Sequence, residues 1–146
     1  LLAETLSNFK APEGRAGPLL RPGNEPQVVS ADRLKLMQAI GNVLSNAYKY
    51  SPDGGEVSVT VVGASASDGL ARRVGIRVED QGIGMTPEQL ARVSERFYRA
   101  DASGRIPGTG LGMSIVKEII ELHEGEMALS STPGRGTTVT LWLHAA

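Results

Sequence analysis

Asp80 closes a run of alternating, β-branched residues, Val74 to Glu79, and is followed by glycines at 82 and 84. The run has the pattern of a strand, so the carboxylate stands at a strand end. There it can accept a hydrogen bond from an exocyclic amine. Glycine removes the Cβ and lets a flat ring or a phosphate lie against bare backbone. Taken alone, the same residues also suit a strand followed by a tight turn with an Asx cap. A second set is Gln38, Asn42, Asn46 and Tyr50, with Lys49 beside them, on one flank of a helix. Asn is a poor helix former, and two of them amid Val43, Leu44 and Ala47 suggest a half-buried polar stripe. The alternative is a solvated face. Asparagine oxygen is a hard ligand that suits Mg²⁺, which takes one or two protein ligands plus phosphates. Lys49 can reach a phosphate as a point charge, and Tyr50 can lie against a base or pack in the core.

The third set, Gly108-Thr109-Gly110-Leu111-Gly112, stands immediately before a helical pattern. Free N–H groups and the positive end of a helix dipole make an anion site there, and glycines let a phosphate approach. No Lys-Ser/Thr follows, so this is not a P-loop. No strand precedes it, so a dinucleotide-binding Rossmann turn is excluded as well. A flexible linker is the bland alternative. Arg96, Phe97, Tyr98 and Arg99 open a long stretch without apolar periodicity. Aromatics there could anchor a lid and arginines could meet phosphates; a hydrophobic staple with solvated charges is the competing reading.

The elements that must position these residues follow from pattern. Residues 1–9 have a short helical pattern that starts abruptly, as at the boundary of a longer chain or the tail of a longer helix. Residues 10–26 read as irregular, with a short edge strand at Leu19-Leu20 and another at Gln27 to Val29. Ser30 or Asp32 can cap the next helix, whose core face is Leu34, Met37, Ile40, Val43, Leu44 and Ala47. Ser51 to Gly55 turns the chain into a strand over Glu56 to Val62. A mobile small-residue loop, Gly63 to Arg73, leads to the strand ending at Asp80, antiparallel to its predecessor. Thr86-Pro87-Glu88-Gln89 starts a short helix through Leu90 and Val93. Glu95 to Gly110 is a long loop of the kind that forms lids or is disordered. Leu111, Ile115, Val116, Ile119, Ile120 and Leu122 form a second amphipathic helix ending near Gly125. Glu126–Ser131 and Thr137–Leu143 are strands of a hairpin turning at Thr132 to Gly136.

The 146 residues suffice for one domain with one core. A net charge of −1 argues against a nucleic-acid surface, and the absence of Cys removes disulfides and thiolate metal sites. No apolar run approaches a membrane span and no signal peptide opens the chain.

Five motifs in order, Asn42…Asn46-Ala47…Lys49-Tyr50, Asp80-x-Gly82-x-Gly84, Phe97-Tyr98-Arg99, Gly108-Thr109-Gly110-Leu111-Gly112 and Gly134-x-Gly136-Thr137, resemble those of the catalytic ATP-binding domain of sensor histidine kinases. The family shares a superfamily with DNA gyrase, Hsp90 and MutL. The resemblance covers roughly residues 27–143. It implies an α/β (α+β) two-layer sandwich, the Bergerat ATP-binding fold, with a mixed, mostly antiparallel sheet and helices on one face. It implies ATP and Mg²⁺ as cofactors. Asn46 would ligate the metal with Asn42 in support, and Asp80 would bind the adenine amino group. Lys49 and the Gly108–Gly112 loop would meet phosphates, Tyr50 would flank adenine, and Thr137 would complete the base pocket. Residues 1–26 would be a boundary segment and 27–146 the domain, with a lid at about 95–110 that includes Phe97 and Arg99.

Two departures matter. Ser94 stands where the family usually has an aromatic three residues before the Phe that matches Phe97. No phosphoacceptor histidine region is present: His123 and His144 read as surface residues. The chain is therefore expected to be a piece of a kinase, a monomer by itself and cytoplasmic, with a full-length protein that is a homodimer and could be membrane-anchored. Its expected partners are a histidine-containing dimerisation domain and a response regulator receiver domain, with no nucleic acid and no membrane contact. Hydrolysing members of the superfamily carry a Glu four residues before the metal-ligating Asn; here that residue is Asn42. The readings left open are phosphotransfer, an ATP-hydrolysing clamp, a non-enzymatic nucleotide-sensing module and an anti-sigma-factor serine kinase. Phe97-Tyr98-Arg99 argues mildly against the last.

Overall fold

In a computed structural model of the protein, residues 2–21, 29–51, 54–65, 72–95 and 112–145 are described. The element order is α1 (Leu2–Asn8), β1 (Leu19–Arg21), α2 (Arg33–Lys49), β2 (Ser58–Ser65), β3 (Arg72–Glu79), α3 (Pro87–Arg92), α4 (Gly112–Leu122), β4 (Glu126–Thr132) and β5 (Gly136–His144). The strands form one sheet in the order β1-β2-β3-β5-β4. Only β1 runs parallel to its neighbour; the other pairs are antiparallel. The sheet is thus mixed and mostly antiparallel, as the resemblance implies.

Alternation along the strands gives the sheet one apolar face: Val59, Ile76, Val78, Val139, Leu141 and Leu143 are all buried. α2 and α4 pack against each other and share a core with that face. Asp32 caps α2 by accepting the Lys35 N–H at 3.0 Å. The buried face of α2 is Leu36, Ala39, Ile40, Val43, Leu44, Ala47 and Tyr48. Leu34, expected in this face, is 76% exposed. It lies six residues before Ile40, about 120° round the helix from it, so the stripe has rotated past it. Leu122, the last residue of α4, is also exposed, because the chain turns away at Gly125. Thr86 caps α3 in a reciprocal capping box with Gln89.

One strand runs further than its side chains suggest. β2 continues through Gly63-Ala64-Ser65, paired with Val74, Arg73 and Arg72, because ladder hydrogen bonds belong to the backbone and need no bulky side chain. Of the strand expected at Gln27 to Val29, Val29 makes an isolated bridge to Ala145; Gln27 and Val28 lie outside the described residues.

Leu2, Leu6, Phe9 and Ala11 bring the N-terminal segment onto the same core. Leu6 is buried there, and Phe9 stacks on Tyr48 with centroids 5.6 Å apart. The Tyr48 hydroxyl donates to Ala16 O at 2.7 Å, and the Arg15 guanidinium lies 5.0 Å over its ring. Burial raises the Tyr48 pKa, with Arg15 opposing. Arg15 also donates to Ser51 O (2.7 Å), Ser51 Oγ (3.1 Å) and Gly55 O (3.2 Å). A cation thus satisfies carbonyls just beyond the negative end of α2. Nothing in the spacing of this segment announces that role.

Candidate functional site

The C-terminal end of α2, the end of β3, the start of α4 and the β4–β5 hairpin converge on one cleft. Asn46, Tyr50, Asp80 and Thr137 stand among its lining, with Val43, Ala47, Val78, Met85, Val93, Met113, Leu129 and Val139 as apolar walls. A slot with apolar walls and a few convergent polar groups suits a flat, partly polar ligand.

Asp80 is its central polar group, with 8% of its surface exposed. Oδ1 accepts two backbone N–H groups, from Gly82 at 2.9 Å and Thr137 at 3.2 Å. Oδ2 has no partner among the described residues. Burial pushes the carboxyl up to about 6, against the pull of the Gly82 and Thr137 N–H groups. A buried carboxylate with one oxygen pinned and one unpartnered is an acceptor waiting for a donor.

The glycines around Asp80 have a task that differs from the expected one. At Gly82 a Cβ would lie 1.9 Å from Tyr50 O, and at Gly136, where φ is +100°, 2.0 Å from Asp80 O. The bare backbone is therefore filled by other backbone. A Cβ at Gly84 would likewise meet Thr132 O. Ile83 N–H donates to Tyr50 O at 2.9 Å, and Gly134 N–H to Ile83 O at 2.7 Å. The loop after β3 is stitched between α2 and the hairpin, which holds Asp80 in register with Tyr50 and Thr137.

Asn46 sits half-buried in the cleft wall, and a Cβ built on Gly112 would come within 4.0 Å of its Oδ1. The N-terminus of α4 and the amide oxygen therefore face the same end of the cleft. Asn42 and Lys49 are half-buried on adjoining turns and are not among the lining residues. Asn42 and Asn46 are thus half-buried, as the composition suggests, whereas Gln38 at the start of the stripe is exposed. Phe97, Arg99, Gly108, Thr109, Gly110 and Leu111, with the lid at about 95–110, fall mostly or wholly outside the described residues. No cluster of three or more Asp, Glu or His among the described residues is disposed to hold a metal. A divalent cation here would rest on Asn46 and on oxygens of the ligand, which fits the habits of Mg²⁺.

Sequence reasoning missed Ser131. Its Oγ accepts the Met85 N–H at 2.8 Å, donates to Gly136 O at 2.9 Å and lies 2.8 Å from Thr137 Oγ1. A serine just before a Pro-Gly-x-Gly turn carries no signal of this by itself. His123, read as a surface residue, is half-buried. Its Nε2 accepts the Asp32 N–H at 2.9 Å, so Nδ1 carries the proton that goes to Ile119 O at 2.8 Å. It ties the end of α4 to the start of α2.

The family described as "Histidine kinase-, DNA gyrase B-, and HSP90-like ATPase" matches residues 31–146. The chain belongs to this family. Sensor histidine kinase WalK of Bacillus subtilis is 38% identical over 117 residues, covering 79% of this chain and 18% of WalK. Sensor-like histidine kinase SenX3 of Mycobacterium tuberculosis is 36% identical over 148 residues, covering 99% of this chain and 35% of SenX3. The chain therefore spans about a fifth to a third of these curated relatives. Among solved structures, the mycobacterial sensor histidine kinase MprB superposes with a TM-score of 0.74 at 28% identity, covering 99% of this chain and 90% of that one. Full-length ShkA in complex with AMPPNP gives 0.72 at 26% identity, covering 88% and 26%. The histidine kinase-like ATPase fold and an ATP-binding catalytic domain of the two-component kind are thereby established, in agreement with the resemblance read from the five motifs.

Proposed function

We propose that this domain binds ATP with Mg²⁺ and donates the γ-phosphoryl group to a histidine on a dimerisation domain of the same full-length protein. The phosphoryl group then passes to an Asp on a response regulator receiver domain. The observation that carries the reading is Asp80: a buried carboxylate whose free oxygen serves a cleft of adenine-like polarity, apolar on its faces and polar at one end. Asp80 accepts the exocyclic amine, Thr137 completes that end of the pocket, and Tyr50 flanks the ring. Gly82 and Gly84 let the loop pack closely enough to hold the wall in place.

At the other end, Asn46 offers a hard oxygen to a cation and Asn42 supports it from one turn earlier. Mg²⁺, when bound, would neutralise charge on the phosphates. Lys49 and the segment Gly108–Gly112 receive the phosphates, with Gly112 opening α4 beside Asn46, and Phe97 and Arg99 contribute to holding the nucleotide. Phosphoryl transfer needs positioning and charge stabilisation more than covalent help. Hydrolysis needs a base to activate water, and the amide of Asn42 cannot accept a proton at neutral pH. A histidine imidazole delivered in line is a competent nucleophile without one. The reading places the domain in the cytoplasm, where ATP is available, whether or not the full-length protein is membrane-anchored, and makes that protein a homodimer.

The experiment is incubation of the domain with γ-labelled ATP and a separate histidine-containing dimerisation domain. Label should move to the histidine in an Mg²⁺-dependent way that Asn46→Ala abolishes. Steady phosphate release by the domain alone, at the rate of a dedicated ATPase and lost in Asn46→Ala, would replace transfer with hydrolysis.

A further inference from the structure

The polarity of the hydroxyl groups behind Asp80 can be worked out from donor counts. Ser131 Oγ has one proton and two lone pairs. Its three neighbours are the Met85 N–H at 2.8 Å, Gly136 O at 2.9 Å and Thr137 Oγ1 at 2.8 Å. The amide can only donate and takes one lone pair. The carbonyl can only accept and takes the serine proton. One lone pair remains, and the proton of Thr137 fills it. Thr137, which lines the cleft and is 8% exposed, then has only lone pairs to offer there. Asp80 Oδ2 offers the same. Both groups at this end of the cleft are acceptors.

We infer that Ser131, by taking the Thr137 proton, makes the ring end of the cleft acceptor-only and so selects a 6-amino over a 6-oxo purine. Ser131 touches no ligand in this scheme; it is a positioning residue. The inference rests on the nucleotide reading above and extends it to base specificity. Asp80 alone is a weak discriminator, because a carboxylate also accepts from the N1–H of a 6-oxo purine. The second acceptor decides: it welcomes an amine hydrogen and repels a carbonyl oxygen. A site whose buried polar groups would be left unpaired rejects the wrong ligand more strongly than an apolar wall can.

The test is calorimetric binding of ADP and IDP to the parent, Ser131→Ala, Thr137→Val and Thr137→Ser. The parent should favour ADP by on the order of tenfold, the worth of the one mismatched acceptor, Thr137. Ser131→Ala frees the Thr137 proton to donate to the ring oxygen of IDP, so the ADP:IDP ratio should fall about tenfold, mainly through tighter IDP binding. Thr137→Val should lower the ratio by weakening ADP, and Thr137→Ser, which keeps the hydroxyl and its partner, should restore it. A merely structural serine would weaken both ligands alike and leave the ratio alone. An unchanged ratio in Ser131→Ala that still binds ADP overturns the inference. If Ser131→Ala fails to fold once the Met85 N–H loses its acceptor, an unchanged ratio in Thr137→Val does so. Absence of ADP binding by the parent instead overturns the nucleotide reading itself, and this inference with it.

Discussion

Lowering the pH through 6 should weaken nucleotide binding while strengthening the empty domain, because both effects run through Asp80. Its carboxyl is held up at about 6 by burial, against an ordinary 3.8. Oδ1 is occupied by the Gly82 and Thr137 N–H groups, so an added proton sits on Oδ2. That turns the one free acceptor into a donor facing the ligand amine. Binding therefore requires the ionised form, and the apparent Kd grows by the factor 1 + 10^(pKa − pH). At pH 7 the penalty is negligible; at pH 5 it is about tenfold, or ~1.4 kcal/mol. Stability has the opposite sign. The folded carboxyl binds its proton more tightly than the unfolded one, so between roughly pH 4 and 6 the native state holds more protons. The empty domain should gain stability as the pH falls through that window, by up to ~3 kcal/mol. Asp80→Asn isolates both terms, since phosphate titration and every other carboxylate are common to the two proteins. The variant should lose about 2 kcal/mol of ADP affinity at pH 7.5, the worth of a charge-assisted hydrogen bond in a mostly enclosed site. Its remaining affinity should then follow pH only as the ligand phosphates do. Calorimetry from pH 8 to 5 measures the binding arm and urea melts the stability arm. Parallel pH profiles for parent and variant would refute the assignment of Asp80 as the ligand's acceptor.

Three further outcomes follow from packing. Glu124, exposed after α4, is a non-glycine residue at φ +56°, so Glu124→Gly should raise stability by ~1 kcal/mol in chemical denaturation. Gly136→Ala would put a methyl 2.0 Å from Asp80 O at φ +100° and should cost on the order of 3 kcal/mol or unfold the domain, with ADP binding lost in whatever remains folded. Arg15→Met keeps an apolar stem over Tyr48 but leaves Ser51 O and Gly55 O without their cation; melts should show a loss of ~1–3 kcal/mol, and faster hydrogen exchange around Ser51 to Gly55 than in the parent.

The elements of this domain were legible because each is written locally. Asp32 and Thr86 announce their helices by cap chemistry, alternation marks the strand that ends on Asp80, and five spaced motifs carry the family. Where local writing is thin, tertiary structure decides: the apolar period of α2 includes Leu34, but the packing of the helix rotates past it, and Gly63-Ala64-Ser65 is strand through backbone pairing alone. The site divides along the same line. Residue types at 42, 46 and 80 suggest a metal ligand and an amine acceptor, and the family resemblance adds Thr137 and the base pocket. What those residues can do there depends on neighbours far away in the chain. Asp80 is an acceptor with a raised pKa because the apolar cleft buries it, against the pull of the Gly82 and Thr137 N–H groups. Gly82 and Gly136 are required by the carbonyls of Tyr50 and Asp80 rather than by open space. Arg15 and Ser131 matter only through contacts with residues they meet on folding. Burial, close approach and hydroxyl polarity are properties of pairs brought together by the sheet and its helices, and no single stretch of sequence carries them.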